Sequence, residues 1–245
     1  PRSTQSRSSA ASDVYKRQAQ VQEGAHWLLA LQNRDGGWPT FCRGWQRLQF
    51  DRSSPDLTAH ALCALAAWHP RHNKVSPLAA KTTKAAEGAI SKGLAYLATA
   101  QQADGSWLPL WFGSQLRPGQ TNPVIGTARV LRAYAALGLG EDIHALRGIN
   151  YLCLCRQADG GWGADAETQP TVEETALATI ALENWRCRDQ VQSAWQGGLA
   201  WLCKMVESDS LSPAPLGLYF ARLWYAERLY PIIWTAMALR AGAGR

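Results

Sequence analysis

Asp56 and His60 stand four residues apart, a spacing that sets both side chains on one face of a helix. A carboxylate and an imidazole so paired can hold or pass a proton. An imidazole that donates to another carboxyl also makes that carboxyl a stronger acid. The competing reading is an ordinary contact within a helix. Glu173 and Glu174 form a pair of adjacent carboxylates. Both fall in the first turn of an expected helix, where negative charge complements the helix dipole, and that placement accounts for them. The six cysteines, Cys42, Cys63, Cys153, Cys155, Cys187 and Cys203, contain no CxxC pair and no Cys/His set with zinc spacing. No metal site is expected, and scattered thiols without a secretory apolar stretch point to a reducing compartment.

The elements that must position these groups come from a repeat. Gly24, Trp27-Leu28, Gln32 and Asp35-Gly36-Gly37-Trp38 recur as Gly93, Tyr96-Leu97, Gln101 and Asp104-Gly105-Ser106-Trp107. They recur again as Gly148, Tyr151-Leu152, Arg156 in the glutamine place, and Asp159-Gly160-Gly161-Trp162. A fourth copy starts at Gly198 with Trp201-Leu202 and lacks the closing turn; the glycines are 69, 55 and 50 residues apart. Each copy reads as a helix with the aromatic–aliphatic pair on its buried stripe. The Asp-Gly turn is expected to end that helix through a left-handed glycine. A second helix follows each turn, predicted at 55–68, 123–138, 171–185 and 228–241. Pro55-Asp56, Asn122-Pro123 and a capping box of Thr171 with Glu174 mark three of the starts. No run alternates long enough for a sheet. The fold class is therefore all-α, a stack of helical hairpins that could form an open solenoid or a closed double ring. Gln32, Gln101, Trp38, Trp107 and Trp162 read as structural: tryptophan over the turn, glutamine capping a neighbouring backbone end.

Hydrophobic residues make up 47% and charged residues 18%, a globular balance. The net charge of +6 owes much to residues 1–18; the remainder holds 21 basic and 18 acidic residues. No basic cluster with interleaved aromatics occurs, so no nucleic-acid partner is expected. No stretch of eighteen apolar residues is present, and no spanning helix is expected. Residues 1–18 lack apolar period and caps, and Ser12-Asp13-Val14-Tyr15-Lys16-Arg17-Gln18 resembles the translation of a transposase adapter. The expectation is a non-native or disordered leader at 1–18 and one domain at 19–245.

From Gln22 to about Leu239 the repeat, with its Gln and Asp-Gly-x-Trp, resembles the QW repeat of triterpene cyclases. Asp51-Arg-Ser-Ser-Pro-Asp56-Leu57-Thr58-Ala59-His60 resembles the D-P-P-S-x-D-V/L-T-A-H segment of squalene-hopene cyclases. Pro39-Thr40-Phe41-Cys42, Trp107-Leu-Pro-Leu-Trp111 with Gly126-Thr127, and the aromatic tail through Trp224-Tyr225 and Tyr230-Pro231 resemble further stretches of that family.

The resemblance implies an α/α toroid, a double helical barrel, incomplete here through N-terminal truncation. It implies cyclisation of squalene or a similar polyprene by alkene protonation and a carbocation cascade, without a cofactor. It also implies a homodimer on one membrane leaflet, on the cytoplasmic side of a bacterial membrane. The family's acid is an aspartate of a DxDD motif placed upstream of this first repeat. No DxDD occurs in the chain, so the fragment alone is expected to be inactive. His60 and Asp56 would then support that acid. Cys42 matches a cysteine near the acid, or is a small buried hydrophobe. Cations in a dry cavity are stabilised by aromatic faces, and the wall candidates are Phe41, Trp45, Trp111, Phe112, Trp224 and Tyr225. Core packing competes with that role for all but Trp111. Val124-Ile125 stands where the family often has aromatics, which leaves the product open. Two other readings are a protein prenyltransferase β-subunit, which needs an Asp/Cys/His zinc site, and a non-catalytic helical scaffold.

Overall fold

The repeat glycines sit on outer helices and the Asp56-type residues on inner ones. The computed structural model describes residues 18–40, 48, 51–72 and 78–243. The outer helices are α1 (residues 18–31), α3 (Ala80–Ala100), α5 (Ile143–Cys155) and α7 (Asp189–Glu207). The inner helices are α2 (Pro55–Trp68), α4 (Pro123–Ala136), α6 (Val172–Leu182) and α8 (Leu229–Ala243). α2 packs on α4, α4 on α6 and α6 on α8 in one row, while α3, α5 and α7 cover that row from outside. This is the two-layered architecture of an α/α toroid. Inner helices have neighbours on several sides, and α6 shows it: all eleven of its residues are buried. The predicted second helices lie where expected, except that α4 stops at Ala136 and α6 at Leu182, with a 3₁₀ turn at Glu183–Trp185.

The outer helices do not end on the Asp-Gly glycine, contrary to the sequence expectation. α3 and α5 leave the helical conformation at Gln101 (φ −66, ψ 130) and Arg156 (φ −67, ψ 128), in extended backbone. The glycine comes later, as the left-handed residue of a separate tight turn: Gly36, Gly105 and Gly160 have φ of 93, 94 and 99. The Gly105 N–H donates to Gln102 O (3.0 Å) and the Gln102 N–H to Ser106 O (2.8 Å), a turn closed by a bulge glycine. A Cβ at Gly105 would also lie 2.7 Å from the Arg147 carbonyl oxygen.

The tryptophans cap the outer helices instead. A helix leaves its last four carbonyls without internal partners. The first of these carbonyls in each case is taken by an indole: Trp38 Nε1 donates to Leu28 O (2.8 Å), Trp107 to Leu97 O (2.7 Å) and Trp162 to Leu152 O (2.7 Å). Their backbone N–H groups donate to Thr58, Thr127 and Thr175 Oγ1 at the starts of α2, α4 and α6. Each ring then lies against the glycine of the next outer helix. A Cβ on Gly93, Gly148 or Gly198 would approach the Trp38, Trp107 or Trp162 ring to 2.9, 2.7 and 2.9 Å. Gln101 Nε2 fastens the turn to the next helix, donating to Gly105 O and His144 O (both 2.9 Å), and Gln32 does the same with Gly36 O and Ala89 O (both 2.8 Å).

One feature escaped the sequence: a small antiparallel sheet of β1 (Gly113–Ser114), β2 (Leu216–Leu218) and β3 (Leu223–Tyr225), in that order. Strands of two or three residues are too short to show alternation.

Candidate functional site

Asp56 lies in the first turn of α2 and is buried. The Leu110 N–H donates to its Oδ1 (3.1 Å) and the Trp111 N–H to its Oδ2 (3.4 Å). Its carboxylate therefore holds the loop that carries Trp111 and Phe112, a task the spacing argument did not include. Glu173 repeats the device two inner helices further on, at the start of α6. Like Asp56 it precedes by two residues the threonine that receives a tryptophan N–H, and its Oε1 accepts from the Ala214 N–H (2.9 Å). Asp56→Ala is expected to leave two amides without acceptors and to destabilise the chain by about 1–3 kcal/mol, with Asp56→Asn recovering part of that. Urea denaturation checks it: a midpoint unchanged in Asp56→Ala would contradict the anchoring role.

No hydrogen bond joins His60 to Asp56 among the described residues. His60 instead opens on a pocket of about 200 Å³ shared with Trp27, Leu31, Thr40 and Leu57. Dense protein around the imidazole, then the Arg129 guanidinium, push its pKa down to about 4, against the pull of Asp56. At that value the imidazole is neutral at pH 7, with one N–H to give and one nitrogen to accept.

Trp111 is half-buried and its Nε1 donates to Thr40 Oγ1 (3.1 Å). Phe112 joins an aromatic cluster from α8. Its ring centroid lies 6.2 Å from Tyr230 and 6.0 Å from Trp234, and Tyr230 stacks on Trp234 at 4.6 Å. Arg129 of α4 lies over two of these rings, 5.5 Å from the Phe112 centroid and 5.3 Å from Trp234. α6 stands between α4 and α8 in the inner row. Contact across it means the row bends round a concave face on which these groups meet. Trp224 and Tyr225 lie on β3: Trp224 borders a polar pocket with Gln115, Arg117, Gln120 and Arg222, while Tyr225 shares a side-chain hydrogen bond with Tyr230 of the ring cluster. Phe41, Cys42 and Trp45 lie outside the described residues.

Sequence reasoning missed Arg129 and Trp234. A signal for Arg129 existed: it follows Thr127 by two residues, as His60 follows Thr58, on a helix whose neighbours Ala128, Val130 and Leu131 are apolar. Glu173 and Glu174 lie in the first turn of α6, as expected, and the structure adds that both are fully buried. Glu174 accepts from Asn122 Nδ2 (2.8 Å) and from the Thr171 hydroxyl, and burial pushes its pKa up to about 7. The capping box is only half formed. Thr171 Oγ1 accepts from the Glu174 N–H (3.4 Å), but the Thr171 N–H is already taken by Trp162 O (2.9 Å), so the carboxylate turns to Asn122. Among the described residues no three His, Cys, Asp or Glu side chains converge as metal ligands, and no helix is long and apolar enough to cross a membrane.

Comparison with known proteins matches residues 7–211 to the squalene-hopene cyclase C-terminal domain. Enfumafungin synthase of Hormonema carpetanum is 28% identical over 232 residues, covering 84% of this chain and 16% of that protein. A probable squalene–hopene cyclase of Sinorhizobium fredii is 29% identical over 186 residues, covering 66% of this chain and 26% of that protein. The chain thus spans only 16% and 26% of these two relatives' lengths. Among solved structures, ent-copalyl diphosphate synthase from Streptomyces platensis is similar with a TM-score of 0.64 and 25% identity, over 89% of this chain and 37% of that one.

Proposed function

Because this chain belongs to the squalene-hopene cyclase C-terminal domain family, we propose that it supplies one wall of the cavity in which a terpene cyclase folds and closes a linear polyprene. The observation that carries this reading is the concave face of inner helices, where His60 of α2 and the ring cluster of Phe112, Tyr230 and Trp234 are presented. Ring faces stabilise a carbocation without quenching it, provided water is kept out. In this reading the first step is protonation of an alkene by a carboxylic acid, and neutral His60 orients that acid by hydrogen bonding. The DxDD motif that provides the acid in the family is not in this sequence. The 245 residues alone are therefore expected to leave substrate unchanged. Squalene is the hydrocarbon to test first. The reading also carries a homodimer seated on one leaflet of a cytoplasmic membrane, where such a substrate dissolves.

Full-length protein incubated with linear polyprenes, squalene and prenyl diphosphates in parallel, is expected to yield a cyclic terpene detectable by gas chromatography with mass spectrometry. His60→Ala should cut turnover by roughly 100-fold at unchanged melting temperature, the scale of a lost proton-handling group. Turnover equal to the parent's would take His60 out of the mechanism. A protein that cyclises no polyprene at all would leave the repeat as a helical scaffold.

A further inference from the structure

Arg129 is the group that a purely hydrocarbon substrate does not explain. It sits on α4 with its Nε buried and without a hydrogen-bond partner, and its guanidinium covers the Phe112 and Trp234 rings at 5.5 and 5.3 Å. A carbocation at those rings would be repelled by the cation already resting on them. Arg132, half-buried, follows three residues later, on the same face of α4. No carboxylate lies within ion-pair distance of either arginine among the described residues. Asp56, the acid nearest in field, already accepts the Leu110 and Trp111 amides. The field of both arginines also reaches His60, consistent with all three facing one region. A half-buried guanidinium whose buried Nε–H has no acceptor calls for an anion, and its fork suits phosphate oxygens.

We propose that Arg129 and Arg132 bind the diphosphate of a polyprenyl diphosphate, so that the substrate of this cavity is a prenyl diphosphate and not the hydrocarbon squalene. The hydrocarbon tail then lies along Phe112, Tyr230 and Trp234, with the guanidinium of Arg129 neutralised where it meets the rings. The inference rests on the cavity reading of the preceding section, but binding tests it independently of turnover.

The experiment is isothermal titration calorimetry on the full-length protein with farnesyl diphosphate, inorganic diphosphate, farnesol and squalene, in parent, Arg129→Gln and Arg132→Gln. Farnesyl diphosphate is expected to bind at least about tenfold more tightly than farnesol, and inorganic diphosphate to compete with it. Arg129→Gln should weaken both diphosphates by about tenfold or more and leave farnesol unchanged; Arg132→Gln should act in the same direction. Should Arg129→Gln fail to fold, Arg129→Lys, which keeps the charge but loses the fork, should still weaken the diphosphates relative to farnesol. Equal binding of farnesol and farnesyl diphosphate, or diphosphate affinity unaffected by both variants, would overturn the proposal. So would flotation with phosphatidylglycerol vesicles that Arg129→Gln alone abolishes, since the cations would then serve a lipid headgroup. Diphosphate binding without any cyclic product would sink the cyclase reading and leave this one standing. Squalene cyclisation without diphosphate binding would do the reverse.

Discussion

Trp107→Ala is expected to destabilise the chain by about 3–5 kcal/mol, the range for truncating a large buried aromatic. The magnitude follows from three simultaneous losses. The ring is fully buried and packs against Tyr134 with centroids 6.2 Å apart. It fills the space left by Gly148, where a Cβ would come within 2.7 Å of it. Its Nε1 caps the Leu97 carbonyl, one of the four that end α3 without internal partners. Stabilities of natural domains run to about 5–15 kcal/mol, so this one change takes a large share. Trp107→Phe separates the parts: it keeps much of the ring and loses the cap, and about 1–2 kcal/mol is expected. Denaturant midpoints at constant slope provide the measurement. A cost of Trp107→Ala below about 1 kcal/mol would mean that the core relaxes into the cavity and that the repeat tryptophan is not the rivet described above.

The repeat made this much legible in advance. Three copies of Asp-Gly-x-Trp, two of them with the Gln, and a fourth partial copy placed four hairpins, and the start signals put α2 at its observed bounds. The function of each repeat residue was harder to read, because it depends on the next repeat. Gly148 shows in the sequence only as a recurring position, and the structure is needed to show that it makes room for Trp107, from the copy before it. Gly105 reads as a helix end, yet α3 has already ended at Ala100 and an indole finishes the capping. The same dependence hid the site. Asp56 and His60 share a helix face, and that face is genuine, but the carboxylate is used up on the Leu110 and Trp111 amides of the neighbouring repeat. Arg129 could have been found by register, since it occupies the His60 position of its own copy. That its ring partners come from α8 is a consequence of the bend of the inner row, which no local pattern encodes.

Glu174 gives the largest expected response to pH. In the unfolded chain its carboxyl titrates near the ordinary 4.5; in the fold, burial and the adjacent Glu173 raise it to about 7, against the help of Asn122. The folded state therefore binds a proton that the unfolded state has released between those two values. Stability from this group is fully present below about 4.5 and is lost as pH rises through 7, the opposite of a salt-bridged carboxylate. The loss is about 3 kcal/mol in order of magnitude. Glu173 is shifted upward as well, by burial, and adds to the slope in the same direction. Glu174→Gln is isosteric with the protonated acid. Its Oε1 can accept from Asn122 Nδ2 as the carboxylate does, and its amide can donate to the Thr171 hydroxyl. The variant is expected to match the parent near pH 5, to exceed it by about 3 kcal/mol at pH 8, and to flatten most of the decline between. Glu174→Ala is the control: it also removes the buried charge but leaves Asn122 unpaired, so its gain at pH 8 should be smaller. Urea midpoints taken across pH 5 to 8 decide the matter. A parent whose stability rises through that window, or a Glu174→Gln variant that keeps the parent's slope, would show that Glu174 enters the fold ionised.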